Sequence, residues 1–198
     1  MNHALRRSDR VSYADYVAGE EVAAVRSEYY DGEIFNMAGG TPDHAWLIAS
    51  MIRILGNKLH RSGCSVYASD LRLRYAHADA ASYPDVMVFC GTQQVAADDP
   101  HALTNPRVIV EVLSPSTESW DRSGKFALAT GIPSLEHYLL VHQDTPRIEH
   151  LTRGEGGAWR WTEARAGEVL RLGELLELPV DEVYDGLDED RARRAPPV

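Results

Sequence analysis

Two long apolar runs mark the middle of the chain, and both have the make-up of buried strands. The first covers residues 82–90 and the second covers residues 106–113. Each is rich in β-branched and other apolar side chains and is bounded by turn-forming residues, which is the pattern of a core strand. We therefore predict two adjacent strands inside a sheet.

Shorter alternating runs predict the rest of the strands. They lie at residues 64–67, 71–75, 136–141, 147–151 and 159–162. A hairpin is predicted where Asp31 and Gly32 interrupt an alternating segment, because Asp-Gly is a favoured two-residue hairpin turn. Residues 91–105 are predicted to be a polar connection, and residues 179–184 a last short element.

Capping residues followed by apolar positions at helical spacing predict three helices. Ser12, with Asp15 three residues later, predicts a short first helix. Thr41, which precedes a proline, predicts the start of a second helix. Ser116 or Thr117 is predicted to cap a third helix, which ends near a Gly-Ile-Pro sequence.

The mixture of strands with a few helices predicts one domain of the α/β or α+β class. A chain of 198 residues is long enough to bury a proper core. Neither an internal repeat nor a linker divides it. We place the domain at residues 12–187, between a flexible N-terminus at 1–11 and a disordered tail at 188–198.

The charge balance argues against a general nucleic-acid binder. The chain has 30 Asp and Glu against 20 Lys and Arg, a formal net charge of −10. Tight non-specific contact with phosphates requires a basic surface. The balance still allows an enzyme that handles nucleic acid through a local basic groove and a metal ion.

The apolar segments also bear on location. None approaches the roughly 20 residues of a membrane span, and the first ten residues lack the apolar segment of a secretory signal. Cys64 and Cys90 are far apart in the sequence and sit beside apolar residues, so we predict buried free thiols and a cytoplasmic protein.

Asp85 and Glu111 carry the candidate chemistry. Asp85 stands at the mouth of the first long run, and Glu111 lies inside the second on the same face as two apolar side chains. A carboxylate is costly to bury without a compensating charge. Two carboxylates on adjacent strands therefore suggest a divalent cation. The alternatives are a turn-capping role for Asp85 and an edge-strand or ion-pair role for Glu111.

Lysine is rare in this chain, which draws attention to one position. The two lysines are Lys58 and Lys125, and Lys125 lies on the predicted helix directly after the Glu111 strand. Its ammonium group could orient a water molecule or neutralise developing negative charge. The alternative is a surface pair with Asp121, four residues earlier on the same helix.

Several segments together resemble the PD-(D/E)xK nuclease pattern and, more closely, the Uma2 family (DUF820) of restriction endonucleases. The resemblance covers roughly residues 12–187, and its most specific segment is Glu-Val-Leu-Ser-Pro-Ser-Thr at 111–117. The other matching segments are 27–34, 39–44, 67–72, 83–86, 121–126 and 178–184.

The resemblance implies a restriction-endonuclease-like mixed sheet flanked by helices, and a Mg²⁺- or Mn²⁺-dependent endonuclease acting on DNA. By this analogy Asp85 and Glu111 are metal ligands, and Glu28 completes the acidic cluster. The lysine expected two residues after the glutamate is Leu113 here. Lys125, reaching back from the next helix, is the natural substitute. A homodimer would match duplex symmetry.

Two accessory residues and one rival function stay open. A histidine occupies the place of His44 in the resembling family, although His44 could simply pack on the sheet. Asp70 could join the site or form a surface ion pair, and the neighbouring Arg72 and Arg74 could contact phosphate. The rival function is a non-catalytic restriction-endonuclease-like interaction protein with a degenerate site; a smaller phosphoester substrate is a third option.

Neither the tryptophans nor the remaining motifs indicate a further kind of site. We interpret Trp120, Trp159 and Trp161 as core or sheet-face residues rather than base-stacking platforms. No His-Glu-x-x-His sequence or cysteine cluster indicates zinc.

Overall fold

Two six-stranded sheets, a two-stranded ribbon and several helices make up the part of the chain that the computed structural model describes, residues 10–37, 39–115 and 117–194. The helices are α1 Tyr13–Val22, α2 Pro42–Lys58, α3 Glu118–Trp120, α4 Phe126–Thr130, α5 Val180–Tyr184 and α6 Leu187–Arg193. A π-helical turn, Asp121–Lys125, joins α3 to α4.

The strands include every one predicted from the sequence and several more. They are β1 Ser27–Tyr30, β2 Glu33–Asn36, β3 Cys64–Ala68, β4 Arg72–Tyr75, β5 Ala80–Ser82, β6 Val86–Cys90, β7 Val95–Ala96, β8 Asp99–Leu103, β9 Val108–Val112, β10 His137–Val141, β11 Arg147–Arg153, β12 Trp159–Arg165, β13 Val169–Leu172 and β14 Leu176–Pro179. The fold is a mixed α+β arrangement, as predicted.

The two long apolar runs form neighbouring central strands. The main sheet has the order β12-β11-β10-β9-β6-β3, with β9 parallel to β10 and antiparallel to β6. All five residues of β9 are buried. Both faces of the sheet are covered, because α2 packs on one and the segment that contains α4 packs on the other. Burial on both faces explains why these strands read as nearly continuous apolar runs.

The second sheet, β2-β1-β5-β4-β8-β7, is built around the predicted hairpin. Asp31 and Gly32 both have positive φ, 45° and 86°, as a tight turn that follows the strand twist requires. The β7 and β8 strands lie in the stretch predicted to be a polar connection, so that prediction is wrong; its apolar positions were too few to reveal strands.

The first two helix starts agree with the predicted caps. Ser12 Oγ accepts a hydrogen bond from Asp15 N at 3.1 Å, and Thr41 Oγ1 accepts one from His44 N at 3.1 Å. The third helical segment begins after Thr117, but the Thr117 side chain makes no capping hydrogen bond, and Ser116 falls outside the described residues. Its interior contains the π-helical turn, which the sequence pattern did not indicate.

The prediction of free thiols is wrong, because Cys64 and Cys90 form a disulfide. These residues face each other on the antiparallel strands β3 and β6, with Cα atoms 4.0 Å apart. Sequence separation hid this proximity. No helix in the described part of the chain is long and apolar enough to cross a membrane.

The predicted disordered tail is wrong for its first part. The helix α6 covers Leu187–Arg193, and Arg191 Nε donates to Asp43 Oδ2 at 2.9 Å. Residues 195–198 of that tail, and residues 1–9 of the predicted flexible N-terminus, lie outside the described residues. At the start of the described chain, Val11 N donates to Gly32 O at 3.0 Å.

Candidate active site

The strands β6 and β9 bring Asp85 and Glu111 to one face of the main sheet. Their register pairs Val86 with Val110, so the residues that flank this pair point to the opposite face. Val112 N donates to Asp85 Oδ2 at 2.7 Å, and Asp85 N lies 3.4 Å from Glu111 Oε2. Each carboxylate is therefore held by the backbone of the other residue's strand, and both line a cavity of about 420 Å³.

Lys125 enters the same cavity from the π-helical turn. Its Nζ lies 3.0 Å from Glu28 Oε1, 3.2 Å from Asp121 Oδ1 and 3.5 Å from Glu111 Oε1. Turns of this kind widen a helix locally and often occur at functional sites. The predicted approach of Lys125 to Glu111 is confirmed. The Asp121–Lys125 pair also exists, but both residues are buried, so the surface-pair alternative is wrong.

Glu28 and His44 complete the cluster from two other elements. Glu28 lies on β1, and His44 lies in the first turn of α2 with Nε2 3.3 Å from Asp85 Oδ2. Gly40 allows the preceding loop to approach, because a Cβ atom at this position would fall 2.6 Å from His44 Nδ1. The imidazole thus contacts a candidate metal ligand instead of serving only as packing.

The electrostatics of the cluster are dominated by burial and by Lys125. Burial raises the pKa of Glu111 well above its ordinary value, and the nearby Lys125 offsets this only in part. Burial lowers the pKa of Lys125, but Glu111, Glu28 and Asp121 outweigh it and raise that pKa well above normal. Burial also lowers the pKa of His44, yet its hydrogen bond to Asp85 leaves the pKa raised. Lys125 is therefore firmly cationic.

Three carboxylate oxygens in the cluster accept no aligned hydrogen bond: Glu28 Oε1, Glu111 Oε1 and Asp121 Oδ1. Their common neighbour is the Lys125 ammonium. These three oxygens therefore depend on one shared ammonium, and hard oxygen donors are the ligands that Mg²⁺ prefers. Among the described residues, no group of three or more His, Cys, Asp and Glu side chains is placed so that together they could hold a metal ion. The donor chemistry fits an ion that keeps several waters and takes only one or two carboxylates.

Other residues singled out in the sequence lie elsewhere. Asp70 is 88% exposed at its side chain and pairs with Arg26 at 3.4 Å, away from the cavity. Arg72 and Arg74 are buried and engaged with carboxylates, so their interpretation as phosphate contacts is wrong. The alternating polar and apolar residues of β4 suggested one exposed face that would carry both arginines. All four residues of the strand are in fact buried.

Sequence reasoning did not assign several residues of the cavity to the site, among them Phe35, Trp120 and Asp121. Asp121 was treated as the partner in a surface pair; its spacing of four residues from Lys125 was the available signal. Trp120 was interpreted as a core or sheet-face residue, but it lines the cavity and is 39% exposed. Trp161 is 54% exposed, and Trp159 packs against the apolar side chains on the face of the main sheet that the α4 segment covers.

Comparisons with known proteins agree with this architecture. Over 179 residues the chain is 33% identical to the uncharacterized protein slr1290 of Synechocystis sp., covering 90% of this chain and 93% of that protein. It is 35% identical over 150 residues to a second, sll1609, covering 76% and 85%. A crystal structure from Anabaena variabilis, described as "a putative nuclease belonging to DUF820", superposes with a TM-score of 0.68 at 14% identity, covering 83% of this chain and 93% of that one.

The similarity to the Anabaena structure shows a shared fold, which is that of a protein described as a nuclease. The sequence itself gives the family. The family model "Uma2: Putative restriction endonuclease" matches residues 13–181, a range that contains all the residues of the Asp85–Glu111–Lys125 cluster. The chain belongs to the Uma2 family.

Proposed function

We propose that this protein is a metal-dependent endonuclease that hydrolyses phosphodiester bonds of DNA. The observation that carries the proposal is the convergence of Asp85, Glu111 and Lys125 on one cavity from three separate elements. Membership of a family whose description reads "Putative restriction endonuclease" supports the same chemistry.

Asp85 and Glu111 are the residues that would hold Mg²⁺ or Mn²⁺. A divalent ion bound by these two carboxylates would supply a Lewis acid for a phosphoryl oxygen and would lower the pKa of a bound water. The hydrogen bonds between the backbone of each strand and the opposite carboxylate fix where these side chains point. His44 contacts Asp85 and restricts its rotation further.

Lys125 would stabilise the negative charge that develops on the phosphoryl oxygens. Its ammonium lies 3.5 Å from Glu111 Oε1, beside the proposed metal ligands, and its raised pKa keeps it protonated. Glu28 and Asp121 position this ammonium by flanking it at 3.0 and 3.2 Å. A preorganised cation of this kind avoids reorganisation during the reaction. In this proposal Lys125 takes the role of the lysine that the nuclease pattern expects at the position of Leu113.

One observation favours the rival function, a non-catalytic interaction protein. The Lys125 ammonium already contacts three carboxylates, so it could neutralise the cluster without a metal ion. In that case the acids would be structural. The homodimer and the cytoplasmic location stay predictions.

Nicking of supercoiled plasmid in Mn²⁺ separates the two functions. Glu111→Gln keeps the shape of the side chain but removes its charge, and we expect it to lower the nicking rate at least about a hundredfold. Glu177→Gln, at a 63% exposed side chain on β14, is the matched control and should nick like the wild type. If the wild-type protein nicks no faster than Glu111→Gln, the nuclease proposal fails.

A further inference from the structure

Three exposed aromatic side chains stand at the mouth of the cavity. Phe35 and Trp120 line it and are 46% and 39% exposed. Tyr30, 40% exposed, packs edge-on against Trp120 with ring centroids 6.0 Å apart. We call Tyr30, Phe35 and Trp120 the aromatic rim. Large apolar groups left in water beside a polar site often mark a binding surface.

The hairpin that supplies Glu28 to the candidate site also supplies two residues of the rim. Glu28 is paired directly with Phe35 across β1 and β2, so the two side chains lie on the same face of the hairpin. Tyr30 is two residues from Glu28 and shares that face. Because Glu28 contacts Lys125 at 3.0 Å, the rim is held at a fixed position next to the catalytic candidates.

Trp120, the third residue of the rim, packs against Gly124 of the π-helical turn. A Cβ atom at Gly124 would fall 1.9 Å from Trp120 Cζ3 and 2.1 Å from Cε3. The six-membered ring of the indole therefore packs directly against the Gly124 backbone. Contact with Gly124 on one side and Tyr30 on another fixes the ring while leaving part of it exposed.

The charges around the cavity indicate which part of a nucleic acid the rim would hold. Among the described lining residues, Lys125 is the single lysine or arginine, and its ammonium is already engaged by three carboxylates. The chain as a whole has a net charge of −10. Phosphate contacts, which usually dominate nucleic-acid affinity, would thus contribute little here. Aromatic stacking supplies affinity without basic residues, because every base has a π-face.

We infer that the aromatic rim stacks an unpaired nucleobase, so that the site takes single-stranded or locally melted DNA. The inference rests on the proposed nuclease function, whose substrate class it narrows. In an intact duplex the faces of the bases are covered by their neighbours, whereas an unpaired base presents a free face to Trp120 and Phe35. The rim then positions the adjacent phosphodiester bond over Asp85 and Glu111.

The test is binding of short oligonucleotides without turnover, in Ca²⁺ and again in EDTA. The probes are a hexathymidylate, an abasic hexamer with the same phosphates, and a hairpin duplex, each measured by fluorescence anisotropy. We expect the hexathymidylate to bind at least about tenfold tighter than the abasic hexamer. Trp120→Ala and Phe35→Ala should each weaken its binding by about 5- to 100-fold, with little effect on the abasic probe.

Two control variants make the assay specific. Trp120→Phe retains an aromatic face and should keep most of the affinity. Trp161→Ala removes a 54% exposed tryptophan that is not part of the cavity lining, so it should bind like the wild type. Loss of affinity in Trp161→Ala equal to that in Trp120→Ala would overturn the inference.

The binding assay is independent of cleavage, so the two proposals can fail separately. Base-dependent binding that requires Trp120 supports the inference even if plasmid nicking is absent. Equal binding of the thymidylate and abasic probes, tighter binding of the duplex, or no binding of the thymidylate would each overturn it. None of these results would touch the nuclease proposal if Glu111→Gln abolishes nicking.

Discussion

Two clusters of buried charge lie in this protein, and they differ in how their carboxylates are hydrogen-bonded. The Arg72 cluster contains Glu20, Tyr83 and Asp99; the Lys125 cluster contains Glu28, Glu111 and Asp121. Arg72 donates to both oxygens of Asp99, at 2.6 and 2.9 Å, and to the hydroxyl of Tyr83 at 2.8 Å. The Lys125 cluster instead leaves one oxygen on each of its three carboxylates without an aligned hydrogen bond.

The difference separates a structural network from a candidate site. A planar guanidinium matches a carboxylate with two parallel hydrogen bonds, and the remaining acceptors of the Arg72 cluster are filled: Tyr13 donates to Asp99 at 2.8 Å and Tyr83 donates to Glu20 at 2.7 Å. A lysine has one point charge to share among three acids. The cluster whose carboxylates share one ammonium is the candidate site.

Breaking the Arg72 cluster should have the largest effect on stability. Arg72→Ala leaves Asp99 buried without its cation, and we expect a loss of about 3–5 kcal/mol in the free energy of unfolding. Urea denaturation measures it. Asp70→Ala, at an exposed ion pair, should change stability by less than about 0.5 kcal/mol. A loss below about 1 kcal/mol for Arg72→Ala would contradict the structural assignment.

Removing Lys125 should raise the activation free energy for cleavage by an amount that approaches the stability lost in Arg72→Ala. We expect Lys125→Ala to lower Mn²⁺-supported plasmid nicking at least about a hundredfold, equivalent to about 2.7 kcal/mol. Lys58→Ala is the matched control, because Lys58 is the other lysine and pairs with Glu182 at the far end of α2. Unchanged nicking in Lys125→Ala would refute the role given to this residue.

The Arg72 cluster should also give an acid-sensitive component of stability. Burial raises the pKa of Asp99, but hydrogen bonds from Arg72, His101 N and Tyr13 outweigh burial and leave this pKa below its ordinary value. A depressed pKa stabilises the fold above about pH 4, and the contribution is lost as the pH falls through the folded-state pKa. Asp99→Asn should therefore cost about 2 kcal/mol at pH 7 and less at pH 3, as measured by urea denaturation at both pH values. An equal cost at both values would contradict it.

The smallest expected effect concerns the metal ion. At Mg²⁺ or Mn²⁺ about ten times its Kd, the wild-type protein should gain about 1.4 kcal/mol, a rise in Tm of about 3–6 °C. Asp85→Asn should remove this rise while relieving repulsion among the acids, whereas Asp70→Asn should keep it. Equal rises in wild type and Asp85→Asn would exclude Asp85 as a ligand.

Local sequence patterns predicted the features that depend only on residues nearby in the sequence. The alternation in β9 placed Glu111 on a definite face, and the caps at Ser12 and Thr41 set the helix starts. Lys125 was identified because lysine is rare. Trp120 was misassigned, because its exposure depends on a hairpin about 90 residues earlier in the chain and on the irregular turn that follows it.

The sequence by itself determined the strands of the main sheet, the hairpin turn, the family resemblance and the face on which Glu111 lies, since period, capping and turn chemistry are local properties. Only the tertiary structure decided which buried charges are satisfied. The guanidinium of Arg72 and the ammonium of Lys125 look alike as positive charges in a list of residues. They differ because long-range packing surrounds one with matching acceptors and places the other among three carboxylates that share a single ammonium.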